Sequence, residues 1–162
     1  MATITATMAL NSDISDYGLA INNTMTMRKA DSTLGLDQTT GLAKRTLINN
    51  NHVDLLTCGE GIALDVTADK SAKLYIKNIG TSATDYITIG IGKASTGTTE
   101  EGFDLATSAE RYCSIGRLYG GDWMLTPWNA DKATHGLSDV TIQASNATAA
   151  DPMHLEYMVF FQ

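Results

Sequence analysis

Apolar residues recur at every second position through most of this chain, and that rhythm constrains the fold more than any other feature. In residues 3–10, Ile4, Ala6, Met8 and Leu10 fall on one side, and Thr3, Thr5 and Thr7 on the other. Successive side chains of an extended backbone point to opposite faces, so such a segment reads as a strand with one apolar face. Residues 18–28 repeat the pattern, with Leu19, Ile21, Met25 and Met27 opposed to Asn22, Thr24, Thr26 and Arg28. Further runs cover residues 45–49, 52–58, 62–67, 73–79, 85–91, 111–119, 122–128, 139–145 and 153–161. Turn residues separate them, including Asn49-Asn50-Asn51, Gly59-Glu60-Gly61, Gly80-Thr81-Ser82 and Gly120-Gly121-Asp122.

Many short strands without an amphipathic helix predict an all-β antiparallel sandwich or barrel. The best helical candidates, residues 40–44 and 104–110, are too short to carry a repeating apolar stripe. Residues 30–41 and 93–102 read as long polar loops. Pro127 removes a ladder donor, which places its strand at a sheet edge or a bulge, and Pro152 sits just before the last strand. A chain of 162 residues that is 43% hydrophobic and 18% charged suits one domain with a buried core. That domain is expected over 16–162, with 1–15 either folded onto it or used as an N-terminal strand arm that reaches a neighbour.

The net charge of -7 disfavours nucleic acid and anionic membranes as partners. No run approaches the ~18 apolar residues of a membrane span. No signal-peptide pattern opens the sequence, so synthesis and folding in a cytoplasm are expected.

Candidate chemistry fails on spacing. The Gly92-Lys93 pair in ITIGIGKAST lacks the first glycine of a phosphate loop, where Ile87 stands, and Ala94 replaces the hydroxyl residue after the lysine. The stretch reads instead as a strand with Ile87, Ile89 and Ile91 on one face and small residues, Gly90 and Gly92, on the other, where another layer or subunit can come close. His52, His135 and His154 have no ligand-spaced partner, and neither Cys58 nor Cys113 has a nearby Cys or His. The two thiols read as small buried residues. Ser114 lies in no nucleophile motif. Glu100 and Glu101 point apart on an extended chain, and the Asp13/Asp16 and Asp65/Asp69 neighbourhoods lack calcium-loop spacing. No cofactor, metal or catalytic residue is expected. Trp123 and Trp128, five apart on a strand, should face opposite ways, one into the core and the other out to solvent or an interface.

Four segments in order, Lys73-Leu-Tyr-Ile-Lys-Asn-Ile-Gly80, Ile115-Gly-Arg-Leu-Tyr-Gly-Gly-Asp-Trp123, Thr126-Pro-Trp-Asn-Ala130 and Leu155-Glu-Tyr-Met-Val-Phe-Phe161, resemble a group of small virion proteins of tailed bacteriophages, of the marine and cyanobacterial type. The likeness spans about two-thirds of the chain. It implies a jelly-roll-like β-sandwich that decorates or cements a capsid, or serves in tail and fibre parts. It also implies multimers, often trimers, without catalytic residues. The expected partners are the major capsid protein and copies of the chain itself, on the outer capsid surface, where an acidic exterior lies away from packaged DNA. The interface residues expected are Thr3, Ile4 and Thr5 of the arm, the small face at Gly90 and Gly92, and one of Trp123 and Trp128. The alternative is a tail or fibre module that stacks host-surface glycan on Trp128, near Asn129 and Asp131.

Overall fold

The computed structural model describes residues 4–11, 20–27, 38–57, 72–92, 112–129 and 139–161. Eleven strands occupy them: β1 (Ile4–Asn11), β2 (Ala20–Met27), β3 (Gln38–Thr39), β4 (Ala43–Leu47), β5 (Val53–Leu56), β6 (Ala72–Asn78), β7 (Tyr86–Gly92), β8 (Tyr112–Tyr119), β9 (Trp123–Trp128), β10 (Val140–Ala144) and β11 (Met153–Phe161). The fold is all-β, with antiparallel sheets packed as a sandwich. The run expected at 62–67 and the helix candidate at 104–110 lie outside the described residues.

One sheet has the order β5-β10-β7-β8, and the other β3-β11-β6-β9, with β4 following β3 along the same edge of β11. The pairings β7–β8, β6–β9, β5–β10 and β3/β4–β11 are nested, each enclosing the one before in sequence. A long antiparallel double ribbon rolled so that alternate pairs fall into different sheets gives this order, which is the jelly-roll wrap. Ile87 and Ile89 of ITIGIGKAST lie in β7, an interior strand of its sheet, with both side chains buried.

The alternation decides what is buried. Leu74 and Ile76 of β6, Ile87 and Ile89 of β7, Val140 and Ile142 of β10, and Leu155, Val159 and Phe161 of β11 meet between the sheets. Cross-strand register keeps them in line, with Leu155 opposite Asn78, Tyr157 opposite Ile76, Val159 opposite Leu74 and Phe161 opposite Ala72. A one-residue slip would turn all of these outward.

One local expectation is corrected, that of an unbroken loop over 30–41, and residues 40–44, in keeping with their lack of an apolar stripe, form no helix. Ala43 onward pairs with β11, and Thr40–Leu42 make a bulge in which three residues oppose Met158 and Val159. Gly41 there has φ 72, a left-handed value that suits glycine. The Thr40 hydroxyl accepts from the Val159 N–H at 2.9 Å and so replaces the lost ladder contact. The polar stretch 30–41 also ends in strand, because Gln38 and Thr39 pair with Phe161 and Phe160.

The two sheets are tied together at one end by the β6–β7 and β8–β9 connections. Asn78, buried, donates from Nδ2 to the Leu118 carbonyl at 2.9 Å, and its Oδ1 accepts from the Gly80 N–H at 2.9 Å. Its main chain pairs with Asp122 and Gly121, each at 3.0 Å. Asp122 N–H closes a turn onto Tyr119 at 2.9 Å, with Gly121 at φ 88 as the third residue, where such a turn needs a positive φ. Gly120 lies against the other connection, donating to the Ser82 carbonyl at 3.0 Å. A Cβ on Gly120 would lie 2.6 Å from that oxygen and 2.7 Å from Ser82 N. Backbone cannot swing aside as a side chain can. Gly120→Ala should therefore cost about 1–3 kcal/mol, the range for forcing an extra methyl group into packed structure. Chemical denaturation checks this, and an unchanged midpoint would show that the two connections are free to separate.

The β1–β2 ladder stands outside both sheets. It is a two-stranded ribbon of eight consecutive residue pairs, from Ile4–Met27 to Asn11–Ala20, and pairs with no other strand among the described residues. The N-terminal strand thus has a partner in the same chain, β2, which lies beyond residue 15.

Candidate interaction face

Among the described residues, no group of three His, Cys, Asp or Glu side chains could hold a metal ion. The His154 ring bonds to the Thr46 hydroxyl at 3.0 Å, across the β4–β11 pair, and alternates with Glu156 on the outer side of β11. Cys113 is a free thiol on the exposed strand β8, where a buried one was expected. Its position follows from β8 being the last strand of its sheet. Cys58, His135, Glu100, Glu101, Asp13, Asp16, Asp65 and Asp69 lie outside the described residues. No helix among the described residues is long and apolar enough to cross a membrane.

What the described surface offers is a face. On the outer side of the β3-β11-β6-β9 sheet, the register sets Lys44, Glu156, Lys77 and Trp123 in one cross-strand row. The next row holds Met158, Tyr75 and Leu125. Trp123 is 52% exposed, and its ring lies 6.5 Å from that of Tyr75, its diagonal neighbour, at a tilt of 37°. Diagonal positions are within reach of aromatic side chains, and 6.5 Å falls within the range of favourable ring pairs. Tyr75 OH donates to Glu156 Oε1 at 2.9 Å, which anchors the platform.

Burial, then the bond to Glu156 and the charge of that carboxylate, push the Tyr75 pKa up from 10.0 to about 12. The neutral phenol is the form that the fold favours. Its contribution to stability is complete below pH 10 and is lost as pH rises through 12. A tyrosinate absorbance titration should show one late phase that Tyr75→Phe removes. Persistence of that phase in the variant would contradict the assignment.

The ribbon supplies the other wall. Ala6, Met8 and Met25 of the ribbon, with Trp123, Met124 and Leu125 of β9, line one groove of about 690 Å³. Register puts Ala6, Met8, Met25 and Met27 on one side of the ribbon, and Thr5, Thr7, Thr24 and Thr26 on the other. Exposure rises along the apolar side: Met27 is 1% exposed, Met25 37% and Met8 40%. The ribbon's methionine side is therefore buried at its base and open toward its tip.

The residues singled out in the sequence separate clearly. Trp123 lies on the open face, while Trp128, 4% exposed, belongs to the core between the sheets, so the five-residue spacing divides them as extended geometry requires. That removes the expected glycan platform on Trp128. Asn129 beside it is exposed, and Asp131 lies outside the described residues. Gly90 and Gly92 are both buried in the single chain, with Gly90 between Thr141 and Ser114 in the ladder. Ile4 and Thr5 are in β1, with Thr5 exposed, while Thr3 lies outside the described residues. Tyr75, Met124, Leu125 and Met25 were not anticipated. The signal for Tyr75 was its place between Lys73 and Lys77 on the polar side of a strand whose other side is apolar, while Leu125 shares its side of β9 with Trp123 and Pro127.

No protein-family model matches the chain, and no curated protein matches it either.

Proposed function

We propose that this chain is a structural subunit of a tailed-bacteriophage virion, a capsid decoration or cement protein that binds adjacent shell subunits. The observation that supports this reading is the open apolar groove between the ribbon and Trp123 on a jelly-roll body. Viral capsid domains are among those that use that wrap, but the wrap also serves lectins and enzymes, so the face carries more weight than the fold. A large, rigid aromatic beside flexible methionines is a contact surface suited to a protein neighbour. The major capsid protein is the proposed neighbour, and copies of the chain assemble as a symmetric oligomer, a trimer. Symmetric copies multiply modest contacts into firm attachment through avidity. The net charge of -7 suits the outer surface of a particle filled with DNA.

Co-sedimentation with the shell of the encoding phage tests the reading. Wild-type protein should pellet with shells. Trp123→Ala should weaken binding by about 30-fold, as for an interface anchor worth about 2 kcal/mol, with a melting temperature lowered by at most about 6 °C. Failure of the wild type to bind, or full binding by the variant, would refute it. A tail or fibre module that binds host-surface glycan is the second reading, favoured by the half-exposed indole of Trp123 beside Tyr75. Glycan-array binding by the wild type, lost in Trp123→Ala, without any shell binding would select it.

A further inference from the structure

Strand edges are sticky, and folded proteins blunt them with bulges, prolines, charges or short length. Each of the four sandwich edges here is blunted. The β3/β4 edge is broken by the Gly41 bulge and carries Lys44 and Arg45. Strand β9 contains Pro127. Strand β5 is four residues long, with Leu55 skipped in its ladder to β10. Strand β8 skips Ile115 in its ladder to β7, and leaves that side chain exposed.

The ribbon has none of these devices. ITATMALN and AINNTMTM contain no charge, no proline and no glycine, and their eight pairs run without a register shift. Both outer edges are open among the described residues. A two-stranded ribbon alone is marginally stable in water, and three or more strands with an apolar face are the stable form. We propose that the ribbon is the self-association element of this protein, and that a second copy of the chain adds its ribbon edge to edge, extending the two strands into a larger sheet with the methionines on one side.

Charge favours a copy as the occupant. A molecule with net charge -7 repels its own kind nearly everywhere, and the ribbon is a place where two copies meet without adding like charges. The two strands also share one alternation over their first four pairs, Thr5, Thr7, Thr24 and Thr26 against Ile4, Ala6, Met25 and Met27, with Asn23 beside Met8 as the break in the apolar side. Either edge can therefore accept the other with apolar side chains in line. This identifies the joint of the oligomer proposed above, yet the joint can be tested without any shell.

The experiment is sedimentation velocity on the full chain, wild type and Thr5→Lys/Thr24→Lys, with circular dichroism and melting on both. Thr5 and Thr24 are exposed, one on each ribbon strand, so the lysines have room in the free chain and oppose strand addition, at the loss of the 3.4 Å contact between the Thr24 and Thr7 hydroxyls. Wild type should sediment as an oligomer. The double variant should be monomeric, or associate at least tenfold more weakly, with an unchanged spectrum and melting temperature. A monomeric wild type overturns the proposal. So does a double variant that associates normally, or an oligomer that Trp123→Ala dissolves and the lysines do not, which would place the joint on the β9 face. Oligomers that form normally but ignore shells would leave this joint standing and refute the virion reading.

Discussion

Replacing Trp128 by alanine should lower the stability of the sandwich by about 3–5 kcal/mol, the usual cost of emptying a buried tryptophan site. Trp128 ends β9, pairs with Ala72 and packs in the cluster that joins the two sheets. At 4% exposure it has no solvent to replace the lost contacts. For a domain of this size the melting temperature should fall by roughly 6–20 °C. Trp123→Ala is the internal control. The same residue type, five positions earlier on the same strand, points outward, and its removal should cost no more than about 1.5 kcal/mol, the upper worth of its ring pair with Tyr75. Thermal melts of both variants check the pair. Equal losses would mean that β9 does not present opposite faces as its register requires.

The second large effect is expected at Asn78. Asn78→Leu keeps the volume and removes both polar atoms. The Leu118 carbonyl then loses the Nδ2 donor in a buried place, while Gly80 is exposed, so its N–H can turn to water when the Oδ1 acceptor goes. The orphaned buried carbonyl costs about 1–3 kcal/mol, so the variant should be destabilised by at least that much. Asn78→Asp separates the two contacts. It preserves the acceptor for Gly80, discards the donor to Leu118 and buries a carboxylate. Its stability should drop further as pH rises and the buried acid is forced to ionise, while that of Asn78→Leu should be insensitive to pH over the same range. Denaturant titrations at two pH values distinguish them. Stability of Asn78→Leu within 0.5 kcal/mol of wild type, roughly the scatter of a surface change, would show that the two crossovers hold without this residue.

These two residues also mark how far the sequence could be read. Period-two alternation is a local property, so it located nearly every strand and put Trp123 and Trp128 on opposite faces, without saying which of those faces was the core. Pro127 likewise announced an edge strand from its missing donor. Asn78, Gly120 and Gly121 stood out in the sequence only as turn residues. That Asn78 reaches Leu118 across the two sheets and Gly120 packs on Ser82 depends on the wrap, which no local window contains. Strand β3 was hidden because two residues are too few to show a period, and the bulge at Gly41 breaks the rhythm where β3 gives way to β4. The ribbon's second strand was visible, but its pairing to β1 outside the sandwich was not, since alternation says nothing about partners. The open face could be found only after register placed Tyr75, Leu125 and Trp123 on neighbouring strands.

Cryo-electron microscopy of the virion tests the central claim most directly. The account predicts two-sheet sandwiches in symmetric clusters on the outer shell, with Trp123 against the capsid protein and ribbons joined between copies. A particle whose density contains no such subunit would contradict it.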